Sequence, residues 1–157
     1  EYKDLRGCLL KIFEKEKIKN IFKINETYLT VSKKGTVRGL HGQSEKYSQS
    51  KIMYCIKGKI LFIAIDLRKK SKTYKKVFKR IITSKSKQII LLPKGFANGF
   101  VSLIDNSIVL NLNSSKYRKD KEFGINIKSL NIKLPKIKLI FSKKDKILQK
   151  LDNYLKK

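Results

Sequence analysis

The middle of the chain alternates short apolar runs with glycine and polar clusters, a pattern typical of β-strands. KIMYCI and ILFIAIDL flank a short turn at 57–59, and both runs are rich in β-branched or aromatic residues. VFKRIIT, QIILLP, FANGFVSLI and SIVLNLN follow, and polar clusters such as SKSK and DNS lie between some of them. Strands at this spacing predict an all-β sandwich or barrel rather than alternating strand–helix units.

Two segments depart from simple alternation. ILFIAIDL is apolar on both faces, which predicts a strand that is covered on both sides, by the core and by a second sheet or a subunit. After Ser142 the apolar residues fall at helical spacing, and Ser142 and Asp145 have the spacing of a capping box, so we predict a short C-terminal helix. The residues of its apolar face are Ile147, Leu148, Leu151, Tyr154 and Leu155.

Length and composition favour one domain over residues 1–157, since the chain has 157 residues of which 41% are apolar. It contains no apolar run of about 20 residues, as a membrane span requires, and its start lacks the apolar region of a signal peptide.

The first residue is Glu rather than Met, which is consistent with a missing N-terminal strand. Cys8 and Cys55 lack metal or redox spacing, so we expect buried thiols in a reducing cytoplasm.

The formal net charge of +27 raises the question of a nucleic-acid partner. The basic residues are mostly Lys spread along the whole chain, and only five are Arg. There is no Arg cluster, no aromatic–basic RNA-binding motif and no Cys/His finger, so the pattern argues against nucleic acid. The charge still favours an anionic ligand, and a nucleotide diphosphate is one.

The stretch KGTVRGLHGQ, residues 34–43, resembles the RGLHYQ motif of the dTDP-4-dehydrorhamnose 3,5-epimerase family. Further segments match motifs of this family in the same order along the chain. The resemblance implies a cupin-type jelly-roll β-sandwich, a homodimer that exchanges N-terminal strands, a nucleotide-diphospho-4-keto-sugar substrate and no cofactor. The matching segments are DLRG (4–7), QSK (49–51), Gly58 with DLRKKSKTY (66–74), LPKGFANGF (92–100) and SKKD (142–145).

Epimerisation next to a ketone removes a carbon-bound proton and returns one to the opposite face, and an imidazole is suited to this because it ordinarily titrates near neutral pH. His41 is the only His of the chain and lies in the RGLH motif. The resemblance assigns it the role of catalytic base and pairs it with Asp145, which would fix its tautomer. The alternative for Asp145 is that it only caps the C-terminal helix.

The resemblance also implies that Lys51 and Arg38 stabilise the enolate by positive charge, and that Arg6 contacts the nucleotide across the dimer interface. Gln43 completes the motif but has no role that the residues themselves suggest. A metal site is not expected, because metal-binding cupins use two or three His.

Three positions depart from the family motifs. Asn98 stands where the family has a second His, and Gly42 replaces an aromatic residue, which would widen the site beside the base. Asn111 stands where the family has its acid, a Tyr, and an amide cannot donate a proton as a phenol does. Tyr117 matches a second Tyr of the family and is the first candidate for a substitute acid.

We therefore expect an epimerase acting at carbon 3, carbon 5 or both of a nucleotide-linked 4-keto sugar, for surface polysaccharide such as lipopolysaccharide or capsule. The sugar would be of the dTDP-4-keto-6-deoxyhexose or the GDP-4-keto-heptose type. The first alternative is a catalytically impaired cupin that only binds a sugar nucleotide. The second is a basic nucleic-acid-binding protein.

Overall fold

The computed structural model describes residues 2–14 and 23–156. Glu1, from which a missing strand was inferred, lies outside this part of the chain. The described residues form short strands, joined by turns and single 3-10 turns. In chain order the strands are β1 (Tyr2–Asp4), β2 (Gly7–Leu9), β3 (Glu26–Ser32), β4 (Val37–Gln43), β5 (Lys51–Lys57), β6 (Lys59–Asp66), β7 (Val77–Thr83), β8 (Ile89–Leu92), β9 (Phe96–Ser102), β10 (Ser107–Asn113) and β11 (Glu122–Gly124).

Two antiparallel sheets form the sandwich, which confirms the predicted all-β fold class. One has the strand order β3-β10-β5-β8 and the other the order β11-β4-β9-β6-β7, while β1 and β2 form a separate hairpin. The apolar runs of the sequence became strands β5 to β10, as predicted. Strand β4 carries the RGLH motif, and its register places His41 opposite Asn98 of β9.

Strand β6 is buried on both faces, as its sequence predicts. Its alternate residues Ile60, Phe62 and Ala64 belong to the core between the two sheets. The other face, however, is covered by the C-terminal part of the same chain rather than by a second subunit. That second cluster contains Leu61, Ile63 and Ile65 of β6 together with Ile125, Ile127 and Leu130.

The prediction of one continuous C-terminal helix is wrong in its extent, because two short helices form: α1 (Lys143–Lys146) and α2 (Leu151–Leu155). Between them Gln149 forms a bridge to Ile125, and its carbonyl accepts a hydrogen bond from the backbone N–H of Asn126 at 2.8 Å. This pairing interrupts the helix, and it leaves Ile147 83% exposed instead of packed. No helix among the described residues is long and apolar enough to span a membrane.

The turn between β6 and β7 is organised by Asp66, whose side chain is fully buried. Its carboxylate accepts hydrogen bonds from Arg68 at 2.8 and 2.9 Å, and from the hydroxyls of Ser71 and Thr73 at 2.6 Å each. The DLRKKSKTY segment therefore has a structural role in closing this turn.

Candidate active site

A cavity of about 400 Å³ lies between the two sheets. Strands β3, β5 and β10 form one wall, and β4, β9 and β11 form the other. Most of the residues that the sequence indicated as site residues line this cavity. These are Arg38, His41, Gln43, Lys51, Asn98, Asn111 and Tyr117.

His41 and Asp145 form a hydrogen-bonded pair at this cavity. The Nε2 atom of His41 lies 2.8 Å from Oδ1 of Asp145, whose side chain is 7% exposed. Burial acts to raise the pKa of Asp145, but the interactions with His41, together with hydrogen bonds from Ser142 and the backbone of Gly39, outweigh it and hold this pKa below its usual range. The carboxylate is therefore ionised and can only accept, so Nε2 of His41 carries the proton of the shared bond.

The structure does not support the alternative that Asp145 only caps the helix, because its side chain is bonded to His41. Ser142 is the N-cap of α1, and its hydroxyl accepts a hydrogen bond from the backbone N–H of Asp145 at 3.0 Å. The backbone of Asp145 thus serves the cap while its carboxylate binds His41. The predicted pair is present, and the start of α1 holds it in place.

Glu122 approaches the other nitrogen of the imidazole. Its Oε1 atom lies 3.2 Å from Nδ1 of His41, and Nδ1 is buried without a hydrogen bond in the described part of the chain. The other oxygen of Glu122 accepts the hydroxyl proton of Tyr117 at 2.7 Å and also contacts Nζ of Lys144. Burial acts to raise the pKa of Glu122, but the bonds to Lys144 and Tyr117, together with the electrostatic effects of His41 and Lys144, outweigh it and lower this pKa. His41 therefore lies between two ionised carboxylates.

Lys51, the first residue of β5, extends into the cavity from the opposite wall. Burial lowers the pKa of its ammonium to about 8, although the negative charges of Glu26 and Glu122 act in the opposite direction. At neutral pH most Lys51 side chains are therefore still charged. A cation in a poorly hydrated cavity is suited to stabilising an anion that forms there.

Arg38 reaches across from β4 to β3, where its guanidinium donates to Ser32 Oγ at 3.0 Å and to the carbonyl of Val31 at 3.1 Å. These bonds fix the plane of the guanidinium and leave further N–H groups for a ligand.

The Gln43 amide is occupied by the backbone. Its nitrogen donates to the carbonyls of Tyr47 and Lys116, both at 3.2 Å, and its oxygen accepts from the N–H of Arg118. Gln43 therefore holds the segment around Tyr117 against β4, a role that the sequence did not suggest.

The two polar departures from the family motifs, Asn98 and Asn111, line the cavity, and so does the candidate substitute acid Tyr117. Asn98 is 9% exposed and Asn111 is 3% exposed, and the amide nitrogen of Asn111 donates to the carbonyl of Val109 at 3.4 Å. Tyr117 is 49% exposed and directs its hydroxyl proton to Glu122. The bond to Glu122, with a smaller effect of burial, raises the pKa of Tyr117.

The expectation that Gly42 widens the site is wrong. A Cβ atom at Gly42 would lie 2.9 Å from Cε1 of Phe123 and would contact Cζ of that ring more closely still. Phe123, in β11, opposes Gly42 in the strand register and stacks on Tyr154 at 4.9 Å between ring centroids. The space that an aromatic side chain at position 42 would use is therefore filled by Phe123.

Arg6 does not reach the cavity within this chain. It lies at the turn of the β1–β2 hairpin, its side chain is 90% exposed, and it binds Asp4 at 2.6 Å. The predicted contact between Arg6 and the nucleotide stays a prediction. No group of three or more His, Cys, Asp or Glu in the described ranges is arranged to hold a metal ion.

The family model for dTDP-4-dehydrorhamnose 3,5-epimerase matches residues 1–153. The chain belongs to this family. The enzyme of this name from Shigella flexneri is 34% identical over 137 residues, which are 86% of this chain and 75% of the relative. The family's members named in these comparisons are epimerases, so the chain is an isomerase of this type. The binding-only alternative is not favoured.

Solved structures of the same family superpose closely on this chain. The epimerase from Bacillus anthracis, solved with TDP and PPi bound, has a TM-score of 0.88 at 32% identity and covers 94% of this chain and 88% of its own. The epimerase from Legionella pneumophila, solved with dTDP-4-keto-L-rhamnose, has a TM-score of 0.87 at 26% identity and covers 96% and 84% respectively. The RmlC-like cupin fold of the epimerase family is thereby confirmed.

Sequence reasoning missed several cavity residues of this epimerase, among them Glu122, Tyr28 and Thr30. Glu122 lies in the short strand β11, which has no apolar run to mark it. Tyr28 and Thr30 lie on β3, which alternates too weakly in polarity to be predicted as a strand. The Thr30 hydroxyl is buried and has no hydrogen-bond partner among the described residues, so it is available to a ligand.

Proposed function

We propose that this protein inverts carbon 3, carbon 5 or both of a nucleotide-diphospho-4-keto sugar. The observation that carries the proposal is the His41–Asp145 pair beside a cavity of about 400 Å³, a volume within the usual range for small-molecule sites. The relatives named above act on dTDP-4-dehydrorhamnose according to their names, and one was solved with a dTDP-linked keto sugar. A dTDP-4-keto-6-deoxyhexose is therefore the first candidate substrate, and a GDP-4-keto-heptose the second.

The base in this proposal is Nδ1 of His41, because Nε2 is committed to Asp145. Glu122 encloses Nδ1, so the sugar must displace this carboxylate in order to bring its C–H bond to the nitrogen. Once Nδ1 has taken the proton, the imidazolium is bonded to the carboxylate of Asp145 and lies near the displaced carboxylate of Glu122. Both of them stabilise the charge that the reaction creates on the ring.

The electrons of the broken C–H bond move to the ketone oxygen and give an enolate. Lys51 is the cation that stabilises this oxygen in the proposal, because it enters the same cavity from the wall opposite His41. Asn98, paired with His41 across β4 and β9, offers a neutral amide to the sugar hydroxyls. No cofactor or metal takes part in these steps.

Arg38 binds the diphosphate of the nucleotide in this proposal, since its planar N–H groups suit phosphate oxygens. Arg6 contributes to the nucleotide site of a second subunit. A homodimer is supported by the outer face of the four-stranded sheet, which exposes a set of apolar side chains. These are Leu29 and Val31 of β3, Ile56 of β5, and Ile89 and Leu91 of β8.

We further propose a cytoplasmic enzyme that supplies sugar nucleotides for surface polysaccharide. The sequence and its relatives support this proposal, because nucleotide sugars are used in glycan synthesis and the cysteines Cys8 and Cys55 are both free. Cys55 is buried as expected, whereas Cys8 is exposed, so the expectation of a buried thiol is wrong for Cys8. The cavity is lined by carboxylates as well as cations, which does not favour a nucleic-acid strand.

Deuterium incorporation tests the proposed activity. The protein is incubated in deuterated water with dTDP- and GDP-linked 4-keto sugars, and proton NMR follows label at carbons 3 and 5. His41→Asn should lower incorporation by about 10²–10⁴-fold, the usual effect of a general base, while dTDP or GDP binding by calorimetry stays unchanged. Incorporation in the variant above about a hundredth of the wild-type rate would mean that another group is the base.

A further inference from the structure

Inversion of a carbon needs a proton donor on the side of the sugar opposite the base. His41 enters the cavity from the five-stranded sheet, so the donor should come from the four-stranded sheet. Asn111 of that sheet has an amide, which does not release a proton at neutral pH. The residues next to Asn111 are therefore the place to look for the donor.

Tyr28 lies directly opposite Asn111 on the neighbouring strand, in the antiparallel register of β3 and β10. Residues directly opposed in such a pair point to the same face, with Cβ atoms about 4.5–5.5 Å apart. Both side chains line the cavity. The phenol of Tyr28 is therefore available one strand away from Asn111, on the wall that faces His41.

The surroundings of Tyr28 fit a proton donor. Burial raises the pKa of the phenol, so it is protonated when the sugar binds, while a hydrogen bond from the Asn113 side chain acts to lower the same pKa. That bond favours the phenolate which remains after the proton has left. Asn113 is 2% exposed and donates to Glu26 Oε2 at 3.0 Å, so its amide is held in position. The positive charge of Arg38 also acts to lower the pKa of the phenol and so favours the phenolate.

We propose that Tyr28 is the catalytic acid of this epimerase, an assignment that rests on the proposed function. His41 takes the proton from carbon, and the C–H electron pair becomes the enolate. As the ketone re-forms, the carbon binds the hydroxyl proton of Tyr28 on the opposite face, which leaves a phenolate. Water then returns a proton to Tyr28 and removes one from His41, so the enzyme regains its starting state.

Two other groups could donate the proton, and the structure favours Tyr28 over both. Tyr117 already directs its hydroxyl proton to Glu122, which itself contacts His41, so it lies on the side of the base. Lys51 lies on the correct wall, but its charge is needed on the enolate oxygen while the proton is transferred. Variants of all three residues separate these assignments.

The test compares inversion with deuterium incorporation in the same NMR experiment. Tyr28→Phe should slow inversion by about 10²–10⁴-fold. Deuterium should still enter at the carbon from which His41 removes the proton, at a rate within about tenfold of wild type. Tyr74→Phe, in the β6–β7 turn outside the cavity, is the matched control and should change neither rate. Tyr117→Phe should also keep inversion within about tenfold.

A second variant distinguishes loss of the proton donor from damage to the fold. Exchanging the two residues, Tyr28→Asn together with Asn111→Tyr, returns a phenol to the same face and should recover at least a tenth of the wild-type inversion rate. Unchanged inversion in Tyr28→Phe, or equal loss of inversion and incorporation, would overturn the assignment. If Lys51→Met loses inversion but keeps deuterium incorporation, while Tyr28→Phe still inverts the carbon, Lys51 rather than Tyr28 is the proton donor. If the wild type incorporates no label from any 4-keto sugar, the proposed function itself fails.

Discussion

The Nε2 atom of His41 lies 2.8 Å from Oδ1 of Asp145, although 104 residues separate the two in the chain. Strand β4 supplies the imidazole and the first turn of α1 supplies the carboxylate. The Ser142 cap fixes where α1 begins, and so it fixes the position of Asp145. A local helix signal and a distant strand motif thus combine to form the proposed catalytic pair.

Asp145→Asn should slow deuterium incorporation by about 10²-fold or more while leaving nucleotide binding within about threefold. The amide can no longer select the Nε2–H tautomer or stabilise the imidazolium, and comparable changes cost up to about 10⁴-fold. Proton NMR of substrate in deuterated water measures the effect. Asp152→Asn, at an exposed position of α2, is the control and should be silent. Equal rates in both variants would reduce Asp145 to a structural residue.

Glu122→Gln should slow incorporation by about tenfold, which corresponds to about 1.4 kcal/mol of transition-state stabilisation. The isosteric amide keeps the volume beside Nδ1 of His41 but removes the negative charge that favours the imidazolium. Single-turnover incorporation rates report this directly. A faster rate in the variant would show instead that Glu122 acts mainly as a cover that the sugar must displace.

The activity of the wild type should decline as pH rises above about 8, because the Lys51 ammonium loses its proton there and the enolate loses its cation. The sign follows from the lowered pKa: the active form is the protonated one, so activity is present below this pH and lost above it. Plots of kcat/KM against pH measure the pKa in the free enzyme. Lys51→Arg keeps its charge throughout and should move this alkaline decline upward by more than one pH unit. A decline at the same pH in Lys51→Arg would assign it to another group.

Much of this architecture was predictable because the hydrophobic pattern of β5 to β10 is strong and local. The alternation in KIMYCI and SIVLNLN specifies both the strands and the faces that they bury, so Lys51 and Asn111 could be placed on strands before the structure was known. The RGLH and SKKD motifs likewise indicated His41 and Asp145, since each motif is contiguous in sequence.

What the sequence could not supply are contacts made by segments without a pattern of their own. Strand β11 has three residues, and Glu122 and Phe123 acquire their positions only by pairing with β4. The C-terminal helix is interrupted because Gln149 pairs with the segment after β11, which is a tertiary interaction that overrides the helical spacing. Tyr28 faces Asn111 only through the register of β3 and β10, a non-local property of the sheet.

Gly42 illustrates how such a contact changes an interpretation, and it gives a stability prediction. A methyl group at this position would lie 2.9 Å from Cε1 of Phe123 and 3.0 Å from the carbonyl oxygen of Phe96, closer than van der Waals contact allows. Gly42→Ala should therefore lower the free energy of unfolding by about 1–3 kcal/mol, the usual cost of overpacking. Urea unfolding at constant m-value measures it.

A second substitution, at Phe123, tests this steric clash more directly than the single alanine variant does. Phe123 is held from the other side by Tyr154, at 4.9 Å between ring centroids, so its ring cannot simply move away from an added methyl group. In the Gly42→Ala background, Phe123→Leu should cost less stability than it costs in the wild type, because the smaller side chain removes the clash that the methyl group created. The two changes should therefore be non-additive by more than about 0.5 kcal/mol, as residues in direct contact usually are. Additive losses, or an alanine variant as stable as the wild type, would mean that Phe123 does not occupy the space beside His41 in solution.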